Sequence, residues 1–296
     1  MFDLRYHVAS LAAVFFALII GILVGVALAS HGLGNTERDR LEQDLRRAQA
    51  HGDTLEAQRD ALEVLGASNQ AFVEKTYRVV MANRLHGARI AVLFVGSVND
   101  DAQKAITDAL RDADATVLRI RAMNVPINPA ALAQRLSNRP FLAAYAADDQ
   151  LEELGHALGQ EFTAGAETPL WNALESLIVE EKDGSSKRPA DGVVVVRTVP
   201  AQIGATAVFL KGLYSGLKDV GVSAVGVERT EGDGSAIKAF KKAGLSTVDD
   251  VDTRTGKLAL VILLGEPAVT GDFGTKTTAD DGPLPNVVPV PTTTGG

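Results

Sequence analysis

The 296-residue sequence contains no cysteine, and it has only three methionines and one tryptophan. The absence of cysteine excludes disulfide bonds, thiolate metal sites and cysteine nucleophiles. It leaves the cellular compartment open, because exported domains can also lack cysteine. Positive charge is scarce as well: 29 lysines and arginines stand against 37 aspartates and glutamates, a net charge of −8. Nucleic-acid binding requires clustered positive charge, so we expect no nucleic-acid partner.

Charge is missing altogether from Val8 to Ala29, where Ser10 is the only polar residue. A helix needs roughly 20 residues to cross the hydrocarbon core of a membrane, and a signal peptide has an apolar core of only about 7–15. Ala27 and Ala29 have the spacing of a signal cleavage site. A soluble buried helix is a third alternative, although the segment is apolar on every face. Its length favours a retained transmembrane anchor, which we predict for residues 1–30.

The charges beside this segment do not settle its orientation. Arg5 precedes it, whereas four arginines follow it closely, at positions 38, 40, 46 and 47. Taken literally, the positive-inside rule places the following residues in the cytoplasm, but long domains translocate largely regardless of their charge. From the residues alone, both orientations stay open.

Residues 31–86 have the pattern of a helical connector. A seam with alternating spacings of four and three comprises Leu41, Leu45, Ala48, Gly52, Leu55, Arg59 and Leu62. Such a repeat predicts a coiled coil that pairs two chains, and the spacing of Gly21 and Gly25 favours close helix packing in lipid. We therefore predict a homodimer. The alternative is one amphipathic helix packed on its own domain, which we expect for residues 72–85.

Short apolar runs alternate with amphipathic segments over residues 87–270. Continuous runs of Val, Ile and Leu indicate strands buried on both faces, and helices between them indicate a parallel sheet. The predicted strands are 88–98, 115–123, 191–199, 222–230 and 257–265, and the predicted helices are 100–114, 168–181, 204–221 and 235–244. We therefore predict an open, doubly wound α/β domain. Residues 125–167 stay unassigned, and residues 271–296 are predicted to be a tail that is disordered at its carboxyl-terminal end.

Sheets of this kind bind ligands beyond the carboxyl ends of their strands. The loops expected there are Gly96–Ser97, Thr198–Gly204 and Glu228–Gly234. None contains a glycine-rich phosphate loop or a nucleophile motif. The last loop carries Glu228, Glu231 and Asp233, which would repel a phosphate. We predict no catalytic, cofactor-binding or metal-binding residue, and we expect the protein not to be an enzyme.

Four other conspicuous residues have structural interpretations. Asp100 and Asp101 begin a predicted helix, where negative charge is stabilised by the helix dipole. Trp171 and Tyr214 occupy core-like helical positions, so we expect them to be packing residues.

Sequence features from both ends of the chain point to a family. The chain opens MFDLRYHVASLAAVFFALIIGILVGVAL, continues through the predicted coiled coil and α/β domain, and then reads LVILLGEP and GDFGTKTTAD. In these features it resembles the mycobacterial copper transport protein B (MctB) family of actinobacterial envelope proteins. The resemblance spans the whole chain. It implies a single-pass membrane protein with a cytoplasmic N-terminus, an extracytoplasmic main domain and a function in copper transport and homeostasis.

The residues themselves fit copper transport poorly. Copper(I) prefers thiolate, thioether or imidazole ligands. The chain offers only scattered candidates: Met1, Met81, Met123, His7, His31, His51, His86 and His156. No cofactor is predicted, and copper is implied by the resemblance alone. The alternative function is a dimeric cell-envelope scaffold that acts in septation or envelope assembly through a partner protein, without handling copper directly.

Overall fold

The computed structural model describes residues 4–29, 34–232 and 234–289. The chain divides into two compact units, Met1–Gln70 and Ala71–Gly296. Helix α1, Leu4–Leu28, lies in the first unit, and helix α2, Gly34–Met81, runs from the first unit into the second. Within α1, His7–Leu28 is long and apolar enough to cross a membrane, with a mean hydropathy of 3.0 and no buried residue.

The first unit leaves its apolar side chains uncovered. On α2, the leucines of the predicted seam at positions 41, 45, 55 and 62 are between 52% and 70% exposed. Open space also surrounds Gly21 and Gly25 on α1. A single chain therefore buries neither surface. The coiled coil and the homodimer stay predictions, and so do the domain limits given above.

The second unit contains one seven-stranded sheet. Its strands are β1 (Arg89–Val95), β2 (Thr116–Met123), β3 (Val179–Gly184), β4 (Gly192–Arg197), β5 (Ser223–Val227), β6 (Ser246–Val248) and β7 (Asp272–Phe273). Their order is β3-β2-β1-β4-β5-β6-β7, and every neighbouring pair is parallel except β2 and β3. From β1 the chain adds β2 and β3 on one side and β4 to β7 on the other, so the sheet is doubly wound and the predicted fold class is confirmed.

Helices cover both faces of this sheet. They are α3 (Asp100–Asp112), α4 (Pro129–Ser137), α5 (Leu151–Ala164), α6 (Pro169–Ile178), α7 (Gly204–Lys218), α8 (Ile237–Lys242) and α9 (Arg254–Gly265). One face carries a core built from α4 to α8, which includes Trp171 and Tyr214 at 1% and 2% exposure. Their predicted packing role is confirmed. The opposite core joins α3 and α9 to the end of α2.

The end of α2 packs on the α/β domain, as predicted for residues 72–85. Tyr77, Met81 and Leu85 are buried in the core that α3 and α9 also form. Phe72 at the start of that stretch is 67% exposed, so the packing begins later than the apolar pattern indicated.

The predicted strand at 257–265 is wrong, because these residues belong to helix α9. The side chain of Thr253 accepts a hydrogen bond from the amide of Gly256 at 2.9 Å and thereby caps the start of the helix. From Leu258 to Leu264 every residue is buried. An apolar run without periodicity does not distinguish a buried helix from a buried strand, and this explains the error.

Three strands were not predicted. Strand β3 lies where the sequence indicated the end of a helix and the start of a loop. Its residues are mostly exposed, and they form a strand because they pair antiparallel with β2. Strands β6 and β7 have three and two residues. Strand β7 belongs to the predicted tail. Further along that tail, Arg84 donates a hydrogen bond to the carbonyl oxygen of Val288 at 2.8 Å. The end of the tail, residues 290–296, lies outside the described residues, so its disorder stays a prediction.

Helices α5 and α7 touch through their backbones. Gly155 and Gly159 on α5 face Gly212 and Gly216 on α7. A Cβ atom added at any of the four would lie 1.9–2.4 Å from a backbone oxygen of the facing helix. Only glycine permits this approach, so the two glycine pairs determine how closely these helices pack.

Candidate functional site

A cleft of about 490 Å³ opens beyond the carboxyl ends of β4 and β5, beside the start of α3. Its polar lining includes Asn99, Arg197, Thr198, Glu228, Arg229, Glu231, Ser235 and Lys276. The cleft lies beyond the carboxyl ends of the strands, where sheets of this kind usually bind ligands. Of the predicted loops, Thr198 and most of Glu228–Gly234 line the cleft, whereas Gly96 and Ser97 do not.

The gap between β1 and β4 is closed by the chain itself. This gap is the switch point of the strand order, where doubly wound domains usually hold ligands. The amide of Thr198 donates to the carbonyl oxygen of Val95 at 3.0 Å, and its hydroxyl donates to that of Ser97 at 2.7 Å. Gly96 has a φ of +105°, and a Cβ atom there would lie 2.5 Å from the Thr198 hydroxyl oxygen. A ligand of this sheet would therefore lie closer to β5 than to the gap between β1 and β4.

Glu228 organises the loop that follows β5. It is 9% exposed, and its Oε1 accepts hydrogen bonds from the hydroxyl of Ser235 at 2.9 Å, from the amide of Ile237 at 3.1 Å and from the amide of Ala236. Its Oε2 lies 3.5 Å from Nζ of Lys276. The carboxylate predicted to repel phosphate is thus engaged by its own loop and by a lysine, and α8 begins at the residues it binds.

Lys276 comes from a segment that crosses the end of β6, residues 274–278, which we term the strap. Asp249 is 1% exposed and holds the strap in place through hydrogen bonds. Its Oδ1 accepts hydrogen bonds from the amides of Thr275 at 2.9 Å and Lys276 at 3.2 Å. Its Oδ2 accepts from the hydroxyl of Thr278 at 2.6 Å. Gly274 has a φ of +141°, and a Cβ atom there would lie 1.9 Å from Oδ1 of Asp249. The glycine therefore lets the strap approach the aspartate.

Two further aspartates follow Asp249. Oδ1 of Asp252 accepts from the amide of Thr230 at 2.6 Å and from its hydroxyl at 3.0 Å, which fixes the loop after β5. Asp250 is fully buried, and its Oδ1 has no hydrogen-bond partner among the residues described. Burial is the main cause that raises the pKa of Asp250. Asp250 does not line the cleft, and it lies against Gly256 of α9.

The basic side chains of the cleft are also engaged. Arg229 pairs with Asp101 at 3.3 Å, Arg197 donates to the carbonyl oxygen of Ser235 at 2.7 Å, and Lys276 donates to that of Arg229 at 2.5 Å. Asn99 caps α3 by accepting from the amide of Ala102 at 2.9 Å. The cleft thus presents a surface of mixed charge whose groups hold loops in place.

The candidate copper ligands do not converge in the part of the chain that is described. Met81 and Met123 are fully buried in different cores. His86 pairs with Asp114, and Nε2 of His156 lies 2.6 Å from Oδ2 of Asp219. Over residues 4–29, 34–232 and 234–289, no group of three or more histidine, aspartate or glutamate residues is placed to hold a metal ion. Met1 and His31 lie outside the described residues.

Comparison with known proteins identifies the family. The model of the family described as copper transport outer membrane protein, MctB, matches residues 1–284. The chain belongs to the MctB family. The match includes α1, α2, the whole sheet and the strap, so the MctB resemblance stated from the sequence is confirmed. No curated protein matches the chain.

Proposed function

We propose that this MctB-family protein acts in copper transport and homeostasis, anchored in a membrane by α1 and with its α/β domain outside the cytoplasm. The observation that carries the proposal is the family match over residues 1–284, because it includes the apolar helix and the α/β domain together. A match to the domain alone would leave the anchor without a role in the family's function.

The dimensions of α1 support anchoring. The segment His7–Leu28 has 22 residues. At a rise of about 1.5 Å per residue it spans roughly 33 Å, close to the thickness of the hydrocarbon core. With one such span, a cytoplasmic N-terminus places the α/β domain on the far side of the membrane.

Copper handling, as we propose it, is indirect. Copper(I) prefers soft ligands, and among the described residues Met81 and Met123 are buried and no histidine belongs to a group of three or more candidate ligands. We infer that the protein pairs through α2 and presents its mixed-charge cleft to a second cell-envelope protein that carries the metal. The exposed leucines of α2 support pairing, because they have no cover within one chain.

Copper content of cells tests the proposed role. Cells that lack the gene should differ in copper content from the parent strain when grown at equal external copper. The complete chain should restore the parental level, and a chain with Leu41, Leu45, Leu55 and Leu62 replaced by serine should not. Equal copper content in cells with and without the gene would contradict a role in copper homeostasis.

Titration of the purified full-length protein with copper(I), under reducing conditions in a non-ionic detergent, separates indirect from direct handling. We expect no saturable binding at a whole-number ratio. Tight stoichiometric binding would contradict the indirect route while preserving the role in copper homeostasis.

A second candidate function, a dimeric envelope scaffold without any copper role, is favoured by the exposed seam of α2. It predicts dimerisation together with unchanged cellular copper.

A further inference from the structure

A second cleft, of about 240 Å³, lies at the opposite end of the strand order, where β2 meets the edge strand β3 and helix α6. Its charged lining comprises Arg119, Arg121, Lys182, Glu175 and Asp183, and its neutral polar lining includes Asn172 and Ser186. This cleft is separate in the sheet from the one beyond β4 and β5, and nothing in the copper proposal depends on it.

Two arginines of β2 point to the same face of the sheet, because they are two residues apart on one strand. Arg119 is 2% exposed and donates from Nη1 to the carbonyl oxygen of Phe162 at 2.6 Å and from Nη2 to that of Arg188. Its Nε is buried without a hydrogen-bond partner among the described residues. Burial and the neighbouring charge of Arg121 lower the pKa of Arg119 to about 10, so it remains charged at neutral pH.

Arg121 is the less satisfied of the two. It is 8% exposed, and its guanidinium lies over the ring of Trp171 at 4.6 Å from the centroid. Within the described ranges its guanidinium makes no hydrogen bond, although it carries five N–H donors. A buried charged group is normally paired and hydrogen-bonded. The stacked guanidinium is therefore held in place and lacks an acceptor on its cleft side.

A third cation faces the same place. In the antiparallel pairing of β2 and β3, Lys182 is directly opposite Arg121. Like charges at directly opposed positions repel each other. Three positive side chains thus line the cleft where β2 pairs with β3.

The nearby carboxylates form their hydrogen bonds with groups other than Arg121. Glu175 pairs with Lys182, and Asp183 accepts from the amide of Gly184 at 2.7 Å. Glu161, whose charge also acts on Arg121, accepts from the amides of Leu170 at 3.0 Å and Trp171 at 3.1 Å. These groups reduce the net positive charge of the cleft, but they leave the donors of Arg121 without an acceptor.

We propose that this cleft binds a phosphate group, held by the guanidinium of Arg121 and the ammonium of Lys182, with the buried positive charge of Arg119 beside it. A guanidinium presents parallel N–H donors that match the oxygens of a phosphate, and such charge-assisted bonds are the strong ones. A bound phosphate would also relieve the repulsion among the three cations. The phosphate is either a free inorganic ion or the headgroup of an anionic phospholipid, which the same donors recognise.

Trp171 provides the readout, because it is the only tryptophan of the chain and Arg121 stacks on it. The purified full-length protein in non-ionic detergent is titrated with sodium phosphate, and sodium chloride at equal ionic strength serves as the reference. We expect a saturable change in tryptophan fluorescence with phosphate and none with chloride. Arg121→Gln should weaken phosphate binding by about tenfold or more, as loss of charge-assisted hydrogen bonds implies.

Two further variants guard against a trivial loss of folding. Lys182→Gln changes a side chain that is 59% exposed, and it should weaken binding less than Arg121→Gln without altering the unfolding transition. Lys211→Gln is the matched control, because it removes one exposed charge on α7, where Lys211 pairs with Glu152. It should leave phosphate binding unchanged.

Addition of anionic phospholipid to the micelles distinguishes the two sources of phosphate. Competition between this lipid and inorganic phosphate would identify a headgroup site, and indifference to the lipid would identify a site for the free ion; both support the proposal. Absence of a saturable signal with both probes would overturn it, and so would equal binding by wild type, Arg121→Gln and Lys182→Gln.

Discussion

Glycines four residues apart occur in α1, α5 and α7, and their surroundings differ. The pairs on α5 and α7 face each other so closely that an added Cβ atom would lie 1.9–2.4 Å from a backbone oxygen. The pair on α1, Gly21 and Gly25, has nothing within 4 Å of such an atom. The same spacing thus accompanies a closely packed partner helix in the second unit and open space on α1 in the first.

The exposure of apolar side chains differs between the two units in the same way. In the second unit, Leu154 and Leu213 are fully buried against the sheet. In the first unit, Leu18 and Leu45 are 59% and 58% exposed. Burial of apolar area is the main stabilising term in folding. The second unit therefore obtains its stability from its own residues, whereas the first unit leaves its apolar side chains without cover, and we propose lipid around α1 and a second helix beside α2 as that cover.

The largest expected effect comes from filling a glycine contact in the second unit. At Gly212 an added Cβ atom would lie 1.9 Å from the carbonyl oxygen of Glu152. Gly212→Leu therefore places a whole side chain where even one carbon atom does not fit. We expect the free energy of unfolding of the α/β domain to fall by about 3 kcal/mol or more, because overpacking against backbone cannot be relieved by a rotamer change. Denaturant unfolding followed by Trp171 fluorescence measures it.

Gly25→Leu is the matched substitution in the first unit. Its position has open space, so the same transition should change by less than about 0.5 kcal/mol. A comparable loss of stability in both variants would break the distinction between a self-sufficient unit and one that requires partners.

The strap gives the next largest effect. Asp249→Ala removes the acceptor of three hydrogen bonds, from the amides of Thr275 and Lys276 and from the hydroxyl of Thr278. We expect a loss of about 2–3 kcal/mol in the free energy of unfolding. Asp280→Ala, which removes a carboxylate that is 70% exposed, should cost less than about 0.5 kcal/mol. Equal effects would mean that the strap is not held by Asp249.

A pH-dependent effect of smaller size is expected at Asp250. Burial, aided by the charges of Asp249 and Asp252 and opposed by the hydrogen bond from Thr253, raises its pKa from 3.8. The folded state therefore binds more protons than the unfolded state as pH rises above 3.8, and stability falls through this range. Asp250→Asn should remove that fall, so the stability of the variant relative to wild type should rise with pH and then level off.

Unfolding of both proteins at a series of pH values above 3.8 checks this prediction. A constant difference in free energy across the series would show that Asp250 has the same pKa in the folded and unfolded chains. Such a result would place the origin of the domain's pH dependence in other buried groups, such as Glu161, whose pKa is also raised mainly by burial.

Sequence reasoning found four strands with continuous apolar runs and four of the helices between them, α3, α6, α7 and α8. Strands β1, β2, β4 and β5 lie within predicted segments, because short β-branched runs such as Val193–Val196 favour a strand covered on both faces. Strands β3 and β7 carry no such signal. Their place depends on pairing with a neighbour that is distant in sequence, which no local pattern encodes.

The candidate sites divide in the same way. The ends of β4 and β5 indicated where a cleft lies, but Asp249 and the strap reach it only through contacts across 26 to 29 positions of sequence. The two arginines of β2 did leave a signal that was not used: charged residues at 119 and 121, on one face of a strand whose later residues are buried. Such charge inside a predicted buried strand indicates either a buried pair or a ligand.

The mass of the full-length protein in detergent, corrected for bound detergent and measured by light scattering, tests the division between the two units most directly. We expect wild type to have twice the mass of one chain. For the variant with serine at positions 41, 45, 55 and 62, we expect the mass of one chain and an unaltered Trp171 unfolding transition. A wild-type mass of one chain, or a domain that unfolds when the seam is changed, would contradict this division.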